Sequence, residues 1–123
     1  MKKVLWISRH HLTGEQMTGL EAVCGGDFAL RWWQDNVEDV AELGKAVAEA
    51  DVVAAVLPLE LLAELVAMAA PRPVVIAKAK RVLVPTEEGE PLVRFTHDGW
   101  QQVKRLELKL EPAESAGLPL LST

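Results

Sequence analysis

From Val4 to Ile76 the chain alternates short apolar runs with stretches of helical periodicity. Val4-Leu5-Trp6-Ile7 is a continuous apolar run, the pattern of a strand covered on both faces. It stops at Ser8-Arg9-His10-His11. Thr13-Gly-Glu-Gln16 then reads as a capping box, the Thr13 hydroxyl accepting from the Gln16 amide while the Gln16 side chain reaches back. Met17, Leu20, Val23 and Cys24 follow at helical spacing, and Gly25-Gly26 predicts the helix end. Phe28–Trp33 reads as a second strand, with Gln34-Asp35-Asn36 as its turn. Asn36 is the predicted cap of the next helix, whose buried stripe is Val37, Val40, Leu43 and Val47. Val52–Leu57 is the most strand-like run, and Pro58 suits the first turn of a helix reaching about Ala70, with Glu60 and Glu64 on its wet face. Val74-Val75-Ile76 closes the series as a fourth buried strand.

That alternation predicts an α/β domain with a mainly parallel sheet and crossover helices. Beyond Lys78 the pattern changes. Val82–Val84 and Leu92–Thr96, around a Glu-Glu-Gly-Glu turn, read as a hairpin, and Gln102–Leu110 reads as an edge strand. The predicted organisation is one domain over residues 1–111 and a tail over 112–123, whose Leu118, Leu120 and Leu121 are suited to docking on a partner.

The composition fits this picture. Of 123 residues, 50% are hydrophobic and 25% charged, the balance of a packed globular chain rather than a disordered one. The longest apolar run, Val52–Leu59, is far short of a bilayer span. The four-residue run after Met1-Lys2-Lys3 is too short for a secretory signal. A single cysteine, Cys24, supplies neither an internal disulfide nor a thiolate cluster, so the expectation is a cytoplasmic protein without a membrane association. A net charge of −5 argues against a surface that grips long nucleic acid.

Ligands of open parallel sheets gather outside the carboxyl ends of the strands. On the predicted order that edge receives Ser8–His11, Leu57-Pro58, and then Lys78, Lys80 and Arg81. No acidic residue falls between Glu64 and Glu87, while Arg72, Lys78, Lys80 and Arg81 all do. An acidic protein therefore concentrates positive charge where an α/β domain binds ligands, which points to a small polyanion with phosphates. Ser8, Arg9, His10 and His11 have three readings: a polar strand end, a phosphate-binding turn, or an acid–base site. Adjacent histidines on one loop diverge and have no carboxylate close by, which disfavours a metal. His97-Asp98-Gly99 reads first as turn chemistry. Cys24 and Trp6 read as core residues. Trp32 and Trp33 point to opposite faces of their strand, so one is expected to be the more exposed. There is no G-x-G-x-x-G and no Walker-type lysine motif, and no cofactor is expected.

Ser8-Arg9-His10, directly after the first strand, resembles the opening of one family of small CRISPR-associated ring nucleases. His10, Leu12-Thr13 and Gln16 resemble a second such family, and Ala50-Asp51-Val52-Val53 with Leu57-Pro58-Leu59 resembles the third strand and following helix of the first. The resemblance covers residues 1–66. It implies a Rossmann-like dimer that cuts a cyclic oligoadenylate without metal, turning off or evading an antiviral defence signal. Combined with the basic segment, the expected catalytic set is Ser8, His10 and His11. The expected ligand-binding set is Arg9, Thr13, Leu57, Pro58, Lys78, Lys80 and Arg81. Two rival expectations are a nucleotide binder that never cuts and a structural protein working through its tail.

Overall fold

The structure, a computed structural model, describes residues 1–104. Strands β1 (Lys2–Ile7), β2 (Phe28–Trp33), β3 (Val52–Ala55), β4 (Val74–Val84) and β5 (Leu92–Gln102) form one sheet. Helices are α1 (Gly14–Cys24), α2 (Gly44–Ala48) and α3 (Leu59–Ala69), and a 3₁₀ turn, Val40–Leu43, leads into α2. The strand order is β2-β1-β3-β4-β5, parallel through β4 and antiparallel at β5. This is the Rossmann-like α/β architecture predicted, with the β-rich end in the predicted place.

The apolar run of β1 is buried because helices cover both faces of the sheet. Leu5 and Ile7 join Val53, Ala55 and Val74 beneath Leu43, Val47, Leu62 and Leu65. Val4 and Trp6 join Val52, Ala54 and Val75 beneath Leu20 of α1, with Trp32 and Trp100 packed at the margin. Strand alternation sends successive residues of one strand into these two clusters. Trp33 packs against the first cluster and Trp32 against the second; they do face opposite ways, but both are half-buried.

The predicted capping box at Thr13 is present in both directions, and α1 ends at Gly25 with φ of 74°. The α1 stripe is narrower than predicted: Leu20 is buried, whereas Met17 and Val23 are exposed. The helix expected from Asn36 begins later. Asp39, not Asn36, is the cap, its carboxylate accepting from the Ala41 amide, and the segment divides into the 3₁₀ turn and the short α2. Of the predicted stripe, Val40, Leu43 and Val47 are buried, while Val37 precedes the 3₁₀ turn and is half-buried. Pro58 caps α3, which buries Leu62, Leu65 and Ala69.

The largest departure is β4. The predicted strand ends at Ile76, ahead of Lys78, Lys80 and Arg81, whereas β4 is 11 residues long, runs from Val74 to Val84 and includes all three. Only Val74 and Val75 are in register with β3; the rest pairs with β5 alone. β4 and β5 therefore leave the sheet as a two-stranded ribbon beyond the carboxyl ends of β1 and β3. A ribbon wet on both faces needs no buried run, so lysines at Lys78 and Lys80 do not end the strand. His97-Asp98-Gly99 lies within β5, and the register slips by one residue between the Ala77 and Ala79 pairs. Gly99, with φ of 95°, supplies the left-handed backbone of this bulge instead of a turn. β5 ends at Gln102, and Val103 and Lys104, predicted to continue an edge strand, lie past its end; residues 105–110 of that prediction and the predicted tail lie outside the described residues. Among the described residues no helix is long and apolar enough to cross a membrane.

Candidate functional site

The strand order reverses between β1 and β3, and their carboxyl ends bound a cleft of about 350 Å³. Ser8, Arg9, Leu57 and Pro58 line it, as do Asp35, Asn36 and Glu38 from the connection after β2. The ladder runs up to this rim. The Ser8 amide donates to the Trp33 carbonyl at 3.1 Å, and the Val56 amide to the Ile7 carbonyl at 2.9 Å. In a doubly wound sheet this is where ligands bind.

Three hydrogen bonds shape the Ser8–His11 turn. The Ser8 hydroxyl accepts from the His10 amide at 3.1 Å, the Trp32 indole donates to the Ser8 carbonyl at 2.7 Å, and the Trp6 indole donates to the His10 carbonyl at 2.9 Å. Ser8 is buried. Its hydroxyl is thus a turn former. The two indoles, from neighbouring strands, hold the main chain down so that Arg9, His10 and His11 face solvent. The His11 ring lies against Trp32, centroids 4.3 Å apart and tilted by 51°. The sequence places Trp6 in the core and Trp32 on one face of its strand, and shows neither as a donor to the turn. A signal was present, since a buried indole N–H usually finds an acceptor, although Trp33 Nε1 has none among the described residues.

A second cleft, of about 530 Å³, opens on the other face of the sheet, between the first turn of α1 and the base of the ribbon. Thr13, Gln16, Ala77, Lys78, Phe95 and His97 are among its walls. The Trp100 indole donates to the Gln16 carbonyl at 3.0 Å and meets Trp6 edge-on at 5.7 Å, which ties β5 to α1. His97 packs near Trp100, and both of its ring nitrogens are buried without a hydrogen-bond partner among the described residues. Lys78 lies 3.7 Å from Asp98.

The expected site residues are therefore distributed. Ser8, Arg9, Leu57 and Pro58 share one cleft, while Thr13 and Lys78 share the other. His10 and His11 stand on the rim and line neither. Lys80 and Arg81 lie higher on the ribbon, paired with Thr96 and Phe95, and also line neither. The single anion pocket expected from the turn and the basic segment is replaced by two clefts, because the lysines belong to a rising strand and not to a loop returning to the rim. Within the first cleft Arg9 is the one cation among the lining residues and shares it with Asp35 and Glu38, which oppose an anion there. No group of three His, Cys, Asp or Glu side chains comes together as metal ligands among the described residues.

The strand order, the two covered faces and the open carboxyl edge define a doubly wound α/β domain with an added antiparallel ribbon. Compared with protein-family models, curated proteins and solved structures, the chain matches none.

Proposed function

We propose that this protein binds a cyclic oligoadenylate-type messenger along the carboxyl edge of its sheet and cleaves it with the ligand's own 2′-hydroxyl. The observation that carries this reading is the Ser8–His11 turn at the β1–β3 reversal, with Arg9 and two imidazoles facing solvent. Most of the residues resembling ring nucleases lie toward that edge: Ser8-Arg9-His10 leaves β1, Thr13 and Gln16 open α1, and Leu57-Pro58-Leu59 opens α3, while Ala50-Asp51-Val52-Val53 lies at the amino end of β3. The cleft is at the small end of ligand pockets, about 300–1,000 Å³, and Asp35 and Glu38 line it, so in this reading the phosphates of a ring of several nucleotides lie over the exposed turn and not within the cleft.

In this mechanism His10 takes the proton of the 2′-hydroxyl, and the 2′-oxygen bonds to the adjacent phosphorus. The bond from phosphorus to the 5′-oxygen breaks, that oxygen takes a proton from water, and His10 returns its proton to the solvent, so no net proton is gained or lost. The products are a 2′,3′-cyclic phosphate end and a 5′-hydroxyl end. Arg9 stabilises the charge that develops on the phosphoryl oxygens, and the turn holds the nucleophile in line. Histidine suits the proton transfer because it titrates nearest neutrality.

A second reading, binding without cleavage, is favoured by one observation. Among the described residues no hydrogen bond orients the ring of His10 or His11, whereas catalytic imidazoles are held by a partner. The test is incubation with cyclic tetra-adenylate and hexa-adenylate in EDTA, followed by chromatography, with melting curves in parallel. Cleavage lost in His10→Ala, with the ligand-induced rise in Tm retained, supports the nuclease. A rise in Tm with the ring recovered intact at stoichiometric protein selects the binder. Neither cleavage nor a rise in Tm overturns both.

A further inference from the structure

The ribbon carries three features that make it its own complement. First, β5 is the last strand of the sheet, so its outer edge pairs with no strand among the described residues. Past Pro91, which precedes the strand, this edge holds no proline between Leu92 and Asp98 and Arg94 as its one charged side chain before Asp98, little of the protection that edge strands normally carry. Secondly, the register places Leu83 opposite Val93 and Arg81 opposite Phe95 on one face. Leu83, Val93 and Phe95 are exposed by 59%, 45% and 70%. Thirdly, the two ends differ in sign. The connecting turn carries Glu87, Glu88 and Glu90, all exposed, and the shaft below it carries Lys80, Arg81 and Arg94, also exposed.

From these we infer that the ribbon is a two-fold self-association surface, on which β5 pairs antiparallel with β5 of a second copy. The tip and the shaft of one ribbon carry equal and opposite formal charge. Antiparallel pairing lays each acidic tip beside the basic shaft of the other copy, while a parallel pairing sets like charges side by side. With the axis near Val93, Glu90 comes level with Thr96 of the second copy, the position paired with Lys80 in its own ribbon. The exposed Leu83, Val93 and Phe95 then gather about the axis. Such an interface is isologous, the same patch used twice, and the main-chain bonds of an added strand supply its regularity. The inference is independent of the proposed chemistry, since it needs no ligand.

Sedimentation velocity on the full chain at low salt tests it. The wild type should sediment as two chains, dissociating on dilution and with added salt, because the tip–shaft attraction is screened. Two variants reverse the charges, one at the tip (E87K, E88K, E90K) and one at the shaft (K80E, R81E, R94E). Each alone should be a single chain, since tip and shaft then repel. An equimolar mixture should regain the mass of two chains, one of each kind, a recovery that misfolded variants do not show. A Val93→Cys variant gives a separate reading: mild oxidation should link two copies through position 93. A wild type that is a single chain at every concentration overturns the inference, which is also the outcome if residues 105–123 occupy the ribbon. Variants that remain dimeric alone, a mixture that does not associate, or no link through position 93 also overturn it.

Discussion

Gly19 offers a test in which two known effects oppose each other. It lies inside α1, directly beneath the ribbon base. A methyl group there would stand 2.8 Å from Trp100 Cδ1, 3.0 Å from Trp100 Nε1 and 3.3 Å from His97 Nε2. Carbon atoms rest at about 3.5–4.0 Å, so Trp100 has to move. It is not free to do so: its indole donates to the Gln16 carbonyl, and its ring abuts Trp6. Overpacking of this kind costs about 1–3 kcal/mol, and losing the indole bond costs about 1 kcal/mol. Against this, alanine is favoured over glycine in a helix interior by about 1 kcal/mol. Steric conflict wins, and Gly19→Ala should be less stable by about 1–3 kcal/mol. Gly44→Ala is the control. Gly44 has φ of −52° and ψ of −46°, and a methyl group there meets nothing within 4 Å. It should gain about 0.4–1 kcal/mol. Melting and urea curves followed by far-UV circular dichroism decide between the two effects. At about 4 °C per kcal/mol for a domain of this size, Gly19→Ala should melt several degrees lower and Gly44→Ala a few degrees higher. If both rise alike, α1 and the ribbon are not in contact through Trp100 and the packing described here is wrong.

Three further outcomes follow from particular contacts. Trp32→Phe removes the donor to the Ser8 carbonyl and should cost about 0.5–1.5 kcal/mol; hydrogen exchange should quicken at Arg9–His11 ahead of the sheet, and unchanged exchange there would refute the clamp. Gly99→Ala forces a side chain into the left-handed bulge; it should destabilise by about 1 kcal/mol or more, read as a lower urea midpoint. Burial pushes the Cys24 thiol up, with Lys2 opposing and Asp51 reinforcing the shift. The folded state therefore disfavours the thiolate: the contribution of Cys24 to stability is whole below the unfolded thiol's pKa and declines as pH rises past it towards the higher folded value. Alkylation by iodoacetamide near neutral pH should be slow and should accelerate in urea; equal rates would contradict this.

Most of the parallel sheet was legible because burial on two faces writes itself as unbroken apolar runs, as in Val4–Ile7 and Val52–Ala55. Thr13 and Gln16 announced the start of α1 through a bond pattern that involves only neighbours. What escaped was non-local. Lys78, Lys80 and Arg81 look like a loop after Ile76, since nothing in their own composition reveals that Thr96 and Phe95 will pair with them. Asp98-Gly99 reads as a turn and is a bulge, since the two draw on the same glycine chemistry and only the partner strand tells them apart. The site was half legible for the same reason. Residues of the first loop could be assigned to the sheet edge, whereas the separation of Arg9 from Lys78 depends on how far β4 outruns β3.

The clamp on the first turn also makes the molecule its own optical probe. The chain has four tryptophans and no tyrosine, so its ultraviolet emission comes from indoles alone, and two of these are bonded to the carbonyls of Ser8 and His10. Whatever shifts that turn must change the polarity sensed by Trp6 or Trp32. Occupancy at the β1–β3 reversal can therefore be followed by intrinsic fluorescence, with no dye and no label added.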